Sequence, residues 1–370
     1  MDGGRFVDLG IAFAGATAAV TLQPWASPQI ASDVVQLPVS PKSLATAFAL
    51  LTLAGFLGRR YNWIDHRIGM VATVGGSVGV VLATLGLTVL LTDAGVAVTL
   101  WPPLTISFAV TTGLLGVIDW TGLRSDELLD RLELLVVVGI VAIAALVVGG
   151  VSDLLFQVVV SVLSVGDRLF ADALAQQLST AVGMYLVTAV FIFRHDAGLG
   201  FVDASWLTTR DLLYCLGGFI ALLLVLLFSA ELLAGLGVPT SGSGIADRGV
   251  RGRPELFLLI LPIAALVVAP AEELLLRNVV QKSLYSSYTR ESAVVLSGCL
   301  HATIYLPTYA TVALSAALGG LTLVLLLSLV LGITYERTDN VLVPVLIHSA
   351  FNAFQYAVLY VAVTQEVGIS

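Results

Sequence analysis

Glu272 and Glu273, followed by Arg277, stand inside an apolar stretch, Ala269-Pro270-Ala271-Glu272-Glu273-Leu274-Leu275-Leu276-Arg277. A charge at bilayer depth costs about 2.5 kcal/mol or more, so ionisable groups there mark function or a functional partner. Glu273 and Arg277 are four residues apart, share a helix face and can neutralise one another. Glu272 is rotated by about 100° from Glu273, which leaves it free to act on a proton as a general base.

Three further residues belong to the same chemistry. His301 lies inside the next apolar run, and His348 and Asn352 lie four apart on the last one. Glu272 is nine residues before Gln281, His301 nine after Ser292 and His348 eight after Asn340, which places all three at about 12–14 Å from one side of the membrane. Side chains from three helices at one depth are what a shared polar pocket requires. Each also has a plainer reading. A lone membrane histidine can bond a carbonyl, an isolated asparagine can act as interhelical glue, and the Glu273–Arg277 pair reads as structural. Glu272, His301 and His348 are also a sufficient zinc set with a position left for water.

The elements that must carry these residues are membrane helices. Of 370 residues, 58% are hydrophobic and 11% charged, and the mean hydropathy is +0.99. That composition excludes a soluble globular domain and predicts an all-α, polytopic transmembrane bundle. Apolar runs fall at about residues 6–22, 43–58, 68–91, 95–118, 134–163, 178–193, 212–236, 256–281, 292–308, 312–335 and 341–363, so 10–11 spans are expected, the first being a weak span or an interfacial helix. With the amino terminus inside, twelve of the 17 basic residues fall on the inner side, in line with the positive-inside rule. Gly242–Glu255, with three arginines, dissents. The pocket then faces the cytoplasm. Only Lys42 and Lys282 are lysines, a bias that suggests a salt-adapted or GC-rich source. Cys215 and Cys299 lie in different apolar runs and form no framework.

The loop from His195 to Asp211 is a plausible boundary. It separates amino-terminal helices of unknown role, 1–195, from a second part, 200–363, that holds every residue singled out above. Small residues such as Gly75-Gly76 and Gly149-Gly150 suit close helix packing in the first half, which carries no ionisable cluster at mid-membrane depth.

Together, Glu272-Glu273-x-x-x-Arg277, His301 and His348-x-x-x-Asn352 resemble the motifs of the CPBP intramembrane proteases, the type II CAAX prenyl endopeptidases and bacteriocin-processing enzymes also called the Abi family. Ala269-Pro270 and Gly332-x-x-Tyr335-x-x-Thr338 fit the same pattern. The resemblance covers about residues 200–363. It departs at Ser297, where the family usually has an aromatic residue, and at Asn278, where a glycine is common. It implies hydrolysis of a peptide bond in a membrane-associated substrate, with or without a CAAX-type prenyl group. Glu272 and His301 would activate water, His348 and Asn352 would stabilise the oxyanion, and Glu273 and Arg277 would support them. The family is described both as zinc-dependent, with Glu272, His301 and His348 as ligands, and as a metal-free glutamate type. The expected partners are the lipid bilayer and a membrane-anchored peptide or protein, with no nucleic acid, and the expected location is a prokaryotic plasma membrane. Two rival readings use the same residues: a proton-coupled transporter or channel, and a catalytically silent scaffold. A transporter would need polar groups stepping across the whole bilayer and internal repeats.

Overall fold

A computed structural model describes residues 3–23, 41–93, 100–122, 125–163, 167–194, 198–235, 253–309 and 314–367. Each apolar run of the sequence forms a helix: α1 (Gly3–Thr21), α2 (Pro41–Arg60), α3 (His66–Asp93), α4 (Trp101–Thr121), α5 (Ser125–Val162), α6 (Arg168–Arg194), α7 (Thr209–Gly235), α8 (Glu255–Leu284), α9 (Arg290–Ile304), α10 (Leu314–Thr338) and α11 (Leu342–Val367). Among the described residues, nine are long and apolar enough to cross a membrane. The chain is an integral membrane protein of the polytopic helical class. The two shorter helices account for the difference from the expected 10–11. In α1 the described side chains begin at Phe6, and Phe6–Thr21 is an apolar helix. In α9 the 15 residues rise by roughly 22 Å, short of the ~30 Å hydrocarbon core. Thr289 caps the start of α9 by accepting from the Ser292 amide. Pro307 disfavours helical backbone before it, and the chain leaves α9 through a 3-10 turn at Leu306–Tyr309. Of the dissenting loop Gly242–Glu255, residues 242–252 lie outside the described residues, as does His195, while Arg253 pairs with Asp167 at 2.7 Å.

Contacts divide the chain into two compact units, Met1–Asp130 with Ala313–Ser315, and Arg131–Val312 with Ala316–Ser370. In the first, α1 to α4 pack through small residues and hydroxyls. A Cβ on Gly76 would lie 2.9 Å from the Phe48 carbonyl oxygen, so α2 and α3 touch backbone to backbone there. Thr17, Thr52, Thr84 and Thr112 each return their hydroxyl to the carbonyl four residues earlier, which satisfies them without water. Arg59 pairs with Asp119 at 2.7 Å.

The second unit contains every candidate site residue. One core joins Ala142 and Ala145 of α5 and Ala181 and Met184 of α6 to Val268, Ala271, Leu275 and Leu276 of α8 and to Ile304 of α9. A second joins Leu222 of α7, Leu331 of α10 and Val343, Ile347 and Phe351 of α11. Thus α5 and α6, which precede residue 195, pack directly on the helix that carries Glu272. Their own crossing depends on Gly183, where a Cβ would collide with the Ala145 carbonyl oxygen and come within 2.9 Å of Gly149 Cα. Gly183→Ala must part these backbones, and overpacking of this kind costs about 1–3 kcal/mol. A lowered thermal midpoint of the purified variant in detergent is the expected result. An unchanged midpoint would contradict the close crossing.

Candidate active site

The helix α8 is not a regular α-helix where the chemistry sits. It widens to π geometry at Ala264–Val268, returns to α at Ala269–Glu273 and widens again at Leu274–Gln281. Pro262 and Pro270 lie within it, and a proline has no amide hydrogen for the ladder. Pro270 can therefore serve neither Leu266, four residues back, nor Ala265, five back. The Ser349 hydroxyl of α11 donates to the Ala265 carbonyl instead, and the Asn352 amide donates to the Ala264 carbonyl at 3.2 Å. Tyr185 of α6 reaches the Val267 carbonyl at 3.1 Å. Broken helix and neighbouring side chains thus complete one another, and such π turns are frequent at functional sites.

The second wide turn surrounds Arg277, which is fully buried. Its Nε donates to Glu273 Oε2 at 2.8 Å, one terminal nitrogen to Ser297 Oγ at 3.1 Å, and the other to Ser328 Oγ at 2.8 Å. Ser297 passes its own proton to Gln281 Oε1 at 3.2 Å, and Gln281 Nε2 donates to the Gly332 carbonyl at 2.9 Å. A Cβ at Gly332 would sit 3.0 Å from Gln281 Oε1 and 3.3 Å from an Arg277 terminal nitrogen, so a larger residue there would press on this network. Both departures from the family pattern are absorbed here. Ser297 supplies a hydroxyl to Arg277, and Asn278 Oδ1 accepts from the Asp203 amide at 2.9 Å. Asp203 in turn accepts from Tyr335 and Lys282, which ties the segment before α7 to α8 and α10.

Around this support the expected residues converge. Glu272 Oε2 lies 3.7 Å from His301 Nε2 and 3.6 Å from His348 Nε2. His348 Nδ1 lies 2.8 Å from Glu273 Oε1, so the two adjacent glutamates grip one imidazole from both sides. Glu272 Oε2 and His301 Nε2 are buried and have no hydrogen-bond partner among the described residues. Beside them opens a cavity of about 420 Å³ lined by His301, His348 and Asn352, by Tyr305 and Tyr309, and by apolar side chains of α7, α10 and α11 such as Leu222, Leu327 and Phe351. Asn352 thus faces the same cavity as His348, one face of α11 carrying both.

Two contributors were not singled out from the sequence. Tyr305 donates to Glu272 Oε1 at 2.8 Å and packs edge-on against the His301 ring. Its place four residues after His301, on the same helix face, was a usable signal. Ser328, 3.0 Å from His301 Nδ1, had none, being one serine within an apolar helix. Among the described residues no three histidine, cysteine or carboxylate side chains are grouped as a metal ion would need. Glu272 Oε1 is also held by Tyr305, and His348 Nδ1 by Glu273. Those bonds leave Glu272 Oε2, His301 Nε2 and His348 Nε2 facing one another at 3.6–3.7 Å, and outer bonds of this kind are also made by metal ligands.

Residues 254–354 match the family model described as type II CAAX prenyl endopeptidase Rce1-like. That stretch runs from the start of α8 into α11 and includes Glu272, Glu273, Arg277, His301, His348 and Asn352. It is shorter than half of the chain. The match supports, in general terms, an intramembrane protease of the CAAX type acting on a membrane-associated substrate. No curated protein and no solved structure matches the chain.

Proposed function

We propose that the protein is a glutamate-type intramembrane endopeptidase that hydrolyses a peptide bond in a membrane-anchored, CAAX-type prenylated substrate. The observation that carries this reading is the pair Glu272 Oε2 and His301 Nε2, buried, without hydrogen-bond partners among the described residues and 3.7 Å apart, next to a cavity with a mostly apolar wall. A water held between these atoms attacks the scissile carbonyl carbon while Glu272 takes its proton. The C–N bond then breaks, and Glu272 gives the same proton to the leaving amine, so that atoms and charge balance. His348 and Asn352 face the oxyanion. His348 donates from Nε2 when both its nitrogens are protonated, with Nδ1–H on Glu273, and Asn352 offers the amide hydrogen that Ala264 does not use. Each such donor is worth about 2.7–4 kcal/mol in the transition state. The leucine-rich side of the cavity suits the substrate's apolar chain.

In this reading residues 200–363 are the catalytic core, with α5 and α6 packed on it, and the helices before them have a separate role. The site faces the cytoplasm of a prokaryotic cell. The transporter reading needs polar groups spread across the membrane, whereas these converge and border a mostly apolar cavity.

A cleavage assay on purified protein, with a panel of prenylated and unmodified peptides, tests the proposal. Cleavage that favours prenylated peptides and persists in chelator is the expected outcome. No cleavage of any peptide would contradict the proposal, and loss in chelator restored by zinc would contradict the metal-free form. In that case Glu272, His301 and His348 are the side chains that would hold the ion.

A further inference from the structure

From the hydrogen bonds around Arg277 we infer that Ser328 is a positioning residue that fixes His301 as a hydrogen-bond donor at Nε2. The inference rests on the proteolytic reading above and adds a division of labour: Glu272 is the base, and His301 does not accept the water's proton.

A guanidinium only donates, while a hydroxyl has one hydrogen to give and two lone pairs. Ser328 Oγ therefore accepts from Arg277 at 2.8 Å. Its single proton is left for His301 Nδ1, 3.0 Å away. Ser328 has no solvent exposure, and a buried donor left without a partner costs about 1–3 kcal/mol, so the proton is given rather than stranded. Ser297, on the other terminal nitrogen of Arg277, behaves in the same way, accepting from the arginine and donating to Gln281 Oε1.

With Nδ1 as acceptor, a neutral His301 carries its hydrogen on Nε2, the atom that faces Glu272 Oε2 at 3.7 Å. A water seated between them accepts from His301 and donates to Glu272, which aims its remaining lone pair at the substrate. A doubly protonated His301 would have to donate from Nδ1 and would strand the Ser328 proton. The Glu273 carboxylate acts in the opposite sense on His348. As an acceptor paired with Arg277 it holds Nδ1–H at 2.8 Å, so a neutral His348 presents a lone pair at Nε2. Arg277 thereby sets both rings, one through a serine and one through a glutamate.

The test combines a spectroscopic and a kinetic readout. The protein is prepared in detergent with ¹³C,¹⁵N-labelled histidine, and the His301 signal is assigned by its absence from His301→Gln. The expected spectrum has the hydrogen on Nε2 in wild type and in Ser328→Thr, and loses that preference in Ser328→Ala. A hydrogen on Nδ1, or a doubly protonated ring, in the wild type would overturn the inference. In the peptide assay Ser328→Ala is expected to lower kcat by about 10- to 100-fold with KM within about twofold, and Ser328→Thr to restore most of it. Equal kcat in wild type and Ser328→Ala would also overturn the inference. If the wild type cleaves nothing, the proteolytic reading fails, and the tautomer measurement still decides the role of Ser328.

Discussion

Glu272→Gln is expected to lower kcat by about a thousandfold or more, some 4 kcal/mol of transition-state stabilisation, with little effect on folding. The substitution keeps the side chain's shape and an oxygen for Tyr305, whose hydroxyl donates to Glu272 Oε1 at 2.8 Å. It replaces Glu272 Oε2, which both imidazoles face at 3.6–3.7 Å, with an amide nitrogen. Glu273 cannot take over, because its two oxygens are committed to Arg277 and His348. Binding should survive, since the cavity wall is untouched, so KM for a lipidated peptide is expected to stay within a few-fold. Steady-state kinetics on matched wild-type and variant preparations check this. A Glu272→Gln enzyme within tenfold of wild type would show that another group moves the proton.

Arg277→Met is expected to lose both activity and stability. The guanidinium is fully buried and binds Glu273, Ser297 and Ser328 at once. Removing it leaves the Glu273 carboxylate without its cation, and breaking a buried pair in this way costs about 3–5 kcal/mol. Arg277→Lys should recover little, because a point charge on a flexible stem cannot reproduce the fork. The double variant Glu273→Gln/Arg277→Met should regain part of the stability but not the activity, since His348 then loses the carboxylate at Nδ1. Thermal unfolding in detergent separates these cases. An Arg277→Met protein as stable as wild type would contradict the network.

Much of the site was legible in the sequence because membrane burial makes charge expensive. That single physical fact picked out Glu272, Glu273 and Arg277, and counting residues to the helix ends placed His301 and His348 at the same depth. The Glu273–Arg277 pair followed from four-residue spacing and is present at 2.8 Å. The supporting shell was less legible. Ser328 and Ser297 are small polar residues in apolar helices and give no signal of their own until Arg277 reaches them. The π turns of α8 were hidden for a related reason. The Ala265 carbonyl that Pro270 cannot serve is filled by Ser349, 84 residues away, and Asn352 adds a second donor to the Ala264 carbonyl, which also accepts from the Ala269 amide. Span counting treated every apolar run alike, and α9, at 15 residues, is shorter than the nine long apolar helices. Similarly, the sequence assigns α5 and α6 no role, and in the structure Ala142, Ala145, Ala181 and Met184 form one core with Ala271 and Leu275. Alanine gives little clue to its partner.

The measurement closest to the central claim is isotope incorporation during cleavage. Purified wild type and Glu272→Gln are incubated with a prenylated peptide in H₂¹⁸O, and the products are weighed by mass spectrometry. The account predicts that wild type yields a new carboxylate carrying one ¹⁸O from the attacking water, and that Glu272→Gln yields essentially none. Equal labelled product from both proteins would contradict it.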